Sequence, residues 1–378
     1  MAEQSSKPTI VFFMHQTALG GAELASLGII KKCREWSYPV KVITHKRGKL
    51  FDAFTEAAKG RQLEVPFPYP RQPLSWTRWP HFRQKGRAFL GNRHGKHILF
   101  STDFLSLWAA LQLKSKQDFV ISLWQGEYGF NDDRCLEKWK QYGADKANLL
   151  CASEPIQQHA EASKQLNQKV HLLNPQIDTE RFDPNQFNRS ASRKKLGWSQ
   201  EDSIAVCVGR IGSGKGQITL ARKFAESSLR SKWKLYFAGP ASEEDAQELN
   251  EICNKVPDQR MQWLGPVDSI PTLLSAADIS LAPGTFQESF GLAHAEAVIM
   301  GNPLITFPVG AIPSVLGTDY PGFVNEAGDM NAFFTKWADT ALVEKMKQDA
   351  DIYRSKLIRR FGNDAWNANL FKILEKAP

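Results

Sequence analysis

No stretch of the sequence approaches the roughly 20 consecutive apolar residues that a membrane-spanning helix requires. Its start, MAEQSSKPTIVFFM, has neither the charge pattern nor the cleavage site of a secretory leader. Both absences predict a soluble, cytoplasmic protein. Cysteine is sparse: Cys33, Cys135, Cys151, Cys207 and Cys253 form no C-x-x-C pair and are odd in number. That argues against a zinc site and a disulfide framework, and leaves buried thiols as the reading. A P-loop is also incomplete. In VGRIGSGKGQIT, residues 208–219, Gly209, Gly214 and Lys215 fall at G-x-x-x-x-G-K spacing, but Gly216 stands where a Ser or Thr would hold Mg²⁺. The apolar run KLYFAGP ends on no Asp to order the metal, which disfavours a triphosphatase. Asn131, Asp132 and Asp133 make no D-x-D and suit a helix cap instead, so no metal is expected.

What is present is an ordinary globular composition, 42% hydrophobic and 23% charged over 378 residues, enough for two domains. The net charge of +8 is unevenly placed. Residues 71–97 hold seven Lys or Arg and no acid, interleaved with Trp76, Trp79, Phe82 and Phe89. Such a mixture suits an anionic membrane surface or a nucleic-acid backbone. It equally suits a solvated basic face with its aromatics turned inward.

Apolar strand-like runs alternate with helical periodicity along the chain. TIVFFM precedes the small-residue turn ALGGAE and the helical LASLGIIKKC; VKVITH, HILFST, DFVISLW and NLLCAS continue the series. The segment NPQIDTERFDPNQFNRSASR has turn residues and little periodicity and reads as a boundary. A second series follows, with strands IAVCVG, KLYFAG, MQWLG, ISLAPG and PLITFP. The expected fold class is α/β, two Rossmann-like doubly wound domains. In such sheets ligands lie beyond the carboxyl ends of the strands, where Gly209, Gly239, Gly265 and Gly284 fall; tight turns alone would also use glycine there.

Arg210 and Lys215 can reach one anion from neighbouring backbone positions and would neutralise a leaving diphosphate. In GTFQESFGLAHAEAVIM, a helix starting near Phe290 would present the open amides of Phe290, Gly291 and Leu292 to phosphate or sugar oxygens. Glu288, on the loop before, could accept from sugar hydroxyls or simply complement the helix dipole. Glu296, set among Ala295, Ala297 and Val298, suits a ribose diol, because an acid in an apolar stretch is seldom buried without a partner.

With these residues in this order, the chain resembles the retaining GT-B glycosyltransferases of family 4, the glycosyl transferases group 1. GGAE resembles that family's glycine turn, IDTERFDP its inter-domain signature, GRIGSGK its diphosphate-binding pair and ESFGLAHAE its paired-glutamate motif. The resemblance implies an acceptor domain at 1–185, a nucleotide-sugar donor domain at 186–358 facing it across a cleft, and a C-terminal helix at 359–378 crossing back to the first domain. It implies a metal-independent enzyme moving a sugar, with retention, from a nucleotide-diphosphate sugar to a hydroxyl of a glycan or lipid-linked glycan. Arg210, Lys215 and Glu288 would be the catalytic residues, and Gly20, Gly21, Gly209, Phe290, Gly291, Leu292 and Glu296 would bind the donor. His15, Gln125 and Glu127 are candidates for the sugar or acceptor side, each also open to a turn or strand-end packing role. No cofactor is expected beyond the donor, with UDP the first choice of nucleotide, and an anionic membrane is a compatible partner. The alternative is a non-catalytic nucleic-acid or anionic-surface binder using residues 71–97.

Overall fold

The protein is described from a computed structural model, which describes residues 7–17, 21–68, 75–91, 96–124, 133–162 and 169–376. The chain folds as two units, Met1–Gln176 with Asp364–Pro378, and Ile177–Asn363.

In unit 1 the order is β1 (Thr9–Gln16), α1 (Gly21–Glu35), β2 (Val40–Lys46), α2 (Phe51–Ala57), β3 (Gln62–Glu64), α3 (Ser75–Leu90), β4 (His97–Ser101), α4 (Phe104–Leu113), β5 (Phe119–Trp124), α5 (Asp133–Gln141), β6 (Asn148–Cys151), α6 (Glu154–Ala162) and β7 (Val170–Leu172). The strands form one sheet in the order β3-β2-β1-β4-β5-β6-β7, every pair parallel. Parallel strands covered on both faces must be apolar on both, which is why β1 reads as a continuous run. Its alternate residues part accordingly. Val11 and Phe13 join Leu99, Val120 and Leu149 on one face, while Ile10, Phe12 and Met14 join Val42, Ile98 and Phe100 on the other. The edge strands β3 and β7 are three residues each.

Unit 2 runs α7 (Arg189–Leu196), β8 (Ser203–Val208), α8 (Gln217–Glu226), β9 (Trp233–Ala238), α9 (Glu243–Cys253), β10 (Met261–Trp263), α10 (Ile270–Ala276), β11 (Ile279–Ala282), α11 (Leu292–Ile299), β12 (Leu304–Thr306), α12 (Ile312–Leu316), α13 (Met330–Ala338), α14 (Thr340–Gln348) and α15 (Ala350–Phe361). Its sheet has the order β10-β9-β8-β11-β12, again parallel throughout. The division between the units falls inside the turn-rich stretch 174–193, after Gln176, and the rest of the stretch belongs to unit 2. Ile177 and Phe182 are buried in its core, and Arg193, at the end of the stretch, is fully buried.

The last helix, α16 (Asn363–Glu375), returns to unit 1. Trp366, Leu370, Ile373 and Leu374 pack into the same core face as Phe12 and Phe100, and Trp36 meets Phe371 edge to face at 5.5 Å. Both units are thus doubly wound α/β sheets of the expected Rossmann-like class.

Candidate functional site

In the second sheet the strand order reverses direction between β8 and β11, the switch point beyond whose carboxyl ends doubly wound folds hold ligands. Two loops meet there, 209–216 after β8 and 283–291 after β11. Glycine permits their approach. Gly216 has φ +78°, and a Cβ on it would lie 2.3 Å from the carbonyl oxygen of Pro283. The backbone N–H groups of Thr285 and Phe286 both donate to the Gly214 oxygen, at 2.9 and 3.0 Å, so the loops form one structural piece.

On this frame Lys215 and Glu288 form an ion pair. Each is only partly exposed, at 27% and 19% of the side chain, and the lysine Nζ also stands 5.0 Å over the Phe286 ring. Arg210 lies exposed on the same loop as Lys215, its carbonyl accepting from buried Gln217 Nε2 at 3.1 Å. The Glu288 segment is anchored from behind. Its carbonyl accepts from the Ala311 N–H at 2.8 Å, and Gln287 Oε1 accepts from the Gly310 N–H at 2.9 Å.

α11 begins at Leu292, two residues later than expected. Gly291 is its N-cap, with φ +87° and no side chain to cap the first turn. A Cβ there would meet Ile312 Cδ1 at 2.2 Å, so the position requires glycine for space as well as conformation. Phe290 is therefore not a first-turn residue; its ring is buried and edge-on to Phe361 at 5.2 Å. The amides of His294 and Ala295 turn back onto the Gly291 carbonyl, both at 3.1 Å, which leaves Leu292 and Ala293 leading the helix. One turn further in, burial pushes the Glu296 carboxyl up to about 7; Arg181 works against this and Asp178 with it. His294, unremarked in the sequence, is held neutral by burial, its pKa pushed down to about 4.

In unit 1, His15 closes β1 and stacks on His45, at the end of β2, with ring centroids 5.3 Å apart and planes at 15°. The Phe67 N–H donates to His45 Nδ1 at 2.7 Å, and burial lowers the pKa of both imidazoles, that of His45 to about 4. His45 was not foreseen; only its position beside His15 in the folded sheet marks it. Gly21 opens α1, while Gly20, Gln125 and Glu127 lie outside the described residues. α3 carries Arg78, Arg83, Lys85 and Arg87 exposed, with Phe82 fully buried and Trp79 edge-on to Trp108 at 6.3 Å. Among the described residues no group of three His, Cys, Asp or Glu is placed to hold a metal, and no helix is long and apolar enough to cross a membrane. Cys33, Cys151, Cys207 and Cys253 are free and buried, and burial raises every one of these thiols.

Residues 202–340, which contain both loops, match the family model described as glycosyl transferases group 1. That stretch of unit 2 is a glycosyl transferases group 1 domain. Among curated proteins, the chain is similar to the lipopolysaccharide core biosynthesis mannosyltransferase LpsB of Rhizobium meliloti, 29% identical over 163 residues, covering 41% of this chain and 46% of the relative. It is similar to the D-inositol 3-phosphate glycosyltransferase of Mycolicibacterium smegmatis, 26% identical over 208 residues, 53% of this chain and 46% of the relative. The chain therefore spans about half the length of the curated relatives it matches. In fold it is similar along nearly its whole length to Anabaena HepE in complex with UDP (TM-score 0.76, 18% identity, 97% of this chain and 99% of that one). It is likewise similar to the sucrose-phosphate synthase of Thermosynechococcus elongatus (TM-score 0.74, 17% identity, 98% of each chain). The group 1 domain thus sits in a chain with the GT-B fold of two Rossmann-like units.

Proposed function

We propose that this protein is a retaining glycosyltransferase that moves a sugar from a nucleotide-diphosphate sugar to a hydroxyl of a glycan or lipid-linked glycan. The observation that carries the proposal is the joined pair of loops in the group 1 domain, which sets Lys215 beside Glu288 at the glycine-capped start of α11, with Arg210 on the same loop as Lys215. Breaking the bond between sugar and diphosphate gathers negative charge on the departing oxygens. The leading amides of α11 would be donors held ready for that charge by the helix, and Arg210 and Lys215, the latter exchanging Glu288 for phosphate, would add their positive charge to it. Glu288 would accept from sugar hydroxyls once Lys215 turns to phosphate, and Glu296 would take the ribose diol. The acceptor hydroxyl would enter from the face the diphosphate leaves, which retains the anomeric configuration and needs no separate protein base, and His15 is the candidate that unit 1 offers for the acceptor. The charge-neutralising role falls to side chains, so the reaction is proposed to be metal-independent. UDP is the first choice of nucleotide, supported by the HepE structures in complex with UDP and with UDP-glucose. The exposed cations of α3 suit an anionic membrane carrying a lipid-linked acceptor.

Thermal stabilisation by UDP, GDP and ADP, with and without EDTA, tests the reading, because a ligand bound only by the folded form raises the melting temperature. One of the three should stabilise the protein equally in both conditions. No response from any of them, or a response abolished by EDTA, would count against it.

A further inference from the structure

His294 occupies the third position of α11, and its ring lies back over the first turn: a Cβ added at Gly291 would be 3.1 Å from its Nδ1. That nitrogen is buried and has no hydrogen-bond partner. A buried polar atom without a partner is unfavourable, and at a ligand site it calls for an occupant. The charges acting on the ring are Glu288, which favours the imidazolium, and Lys215, which opposes it; burial opposes it more than either. The other elements packed on α11 bring Ile312 of α12 to this turn, while two arginines of α15 are engaged elsewhere, Arg360 on the Ser314 carbonyl at 2.7 Å and Arg354 on Asp183 at 3.2 Å. Arg181 and Asp178 act on Glu296, two residues along.

An arriving diphosphate would change this balance twice. It brings negative charge to the turn, and it becomes the partner of Lys215, so that the diphosphate offsets the opposing cation while the Glu288 carboxylate's pull on the ring remains. Both changes favour the imidazolium, whose Nδ1 carries a proton whichever neutral tautomer preceded it. We propose that His294 is a further donor-binding residue, which takes up a proton from solvent as the diphosphate binds and then donates from Nδ1 to a phosphate or sugar oxygen at the start of α11. The inference deepens the proposed function and rests on it.

Calorimetric titration of UDP into the whole protein, in buffers of different ionisation heat, counts the protons taken up. Glu296 and the phosphate itself also titrate, so the quantity read is the difference between wild type and His294→Leu or His294→Gln. At pH 6 wild type should take up about half a proton or more beyond either variant. His294→Leu should weaken UDP about tenfold at pH 6, as expected for a lost charge-assisted bond, and much less at pH 8. His294→Gln, which keeps a hydrogen-bonding side chain, should approach wild-type affinity at pH 8 without restoring the proton difference. A second reading needs no variant to fold: the imidazole NMR titration of His294 should move to higher pH when UDP is added. Equal proton counts and pH-independent affinity ratios, or an unmoved titration, would overturn the inference while leaving the proposed function standing. Failure of wild type to bind any nucleoside diphosphate would instead remove the proposed function, and this inference with it.

Discussion

Lys215 is held between the Glu288 carboxylate and the face of Phe286, so the cation of one loop is engaged by two side chains of the other. The same lysine cannot neutralise a diphosphate and remain fully paired with Glu288. Binding the donor therefore exchanges one ion pair for another.

Two opposite effects on the two partners follow from that exchange. Lys215→Ala, like Arg210→Ala, should lower the rate of sugar release from the donor by ~10²-fold or more, the scale of losing a fixed donor to a developing charge. Glu288→Gln should also slow transfer, because a sugar acceptor group is lost. Yet it should tighten the plain nucleoside diphosphate by about two- to fivefold, since a partly exposed ion pair no longer competes for the lysine. Donor hydrolysis rates together with UDP titrations separate these effects. Weaker UDP binding in Glu288→Gln, or wild-type hydrolysis in either cation variant, would contradict the exchange.

Glu296 makes stability depend on pH in a stated direction. Its carboxyl is raised by burial from 4.5 to about 7 in the folded protein. Below about pH 4.5 the group is protonated in both states and its contribution is fully present. Between there and about pH 7 the unfolded chain ionises while the folded one keeps its proton, so stability falls as pH rises, by at most about 1.4 kcal/mol per pH unit, and levels off above. Glu296→Gln has no proton to lose. Its denaturation midpoint should exceed that of wild type near pH 8, with the gap closing toward pH 5. Parallel curves for the two proteins across that range would show that the carboxyl does not titrate as its surroundings require.

Much of this arrangement was legible because it is local in sequence. Strands buried on both faces appear as apolar runs, glycine turns mark their ends, and the charged residues of the two loops fall directly after β8 and β11. What was not legible depends on contacts distant along the chain. The edge strands β3 and β7, three residues each, are too short to show a period. The left-handed Gly291 that precedes α11 is packed against Ile312, which leaves no room for a side chain there. His294 looks like any helical residue until Glu288 and Lys215 are folded around it. The polar stretch 174–193 is legible as a boundary but not as part of a core, because its buried contribution is carried by few apolar residues and one arginine.

That arginine carries the last prediction. Arg193 is fully buried, and its guanidinium donates to the carbonyls of Ala276, Ser199, Gln200 and Asp202 at 2.8–2.9 Å and to Asp278 Oδ2 at 2.8 Å. Asp278 Oδ2 also accepts from the Ile204 N–H at 2.7 Å, and its Oδ1 from Arg189 at 2.6 Å. One side chain thereby ties α7 to the end of α10 and the start of β8. Arg193→Met would keep the packing of the stem but strand four carbonyls and leave the carboxylate with only its exposed arginine and one amide. Removing one partner from such a buried network costs about 3–5 kcal/mol. Hydrogen exchange of the β8 amides should accelerate by ~10²–10³-fold where they exchange through opening of unit 2, while the amides of β1, in unit 1, keep their protection. If β8 exchange changes by less than about tenfold, the network is not what holds that strand in place.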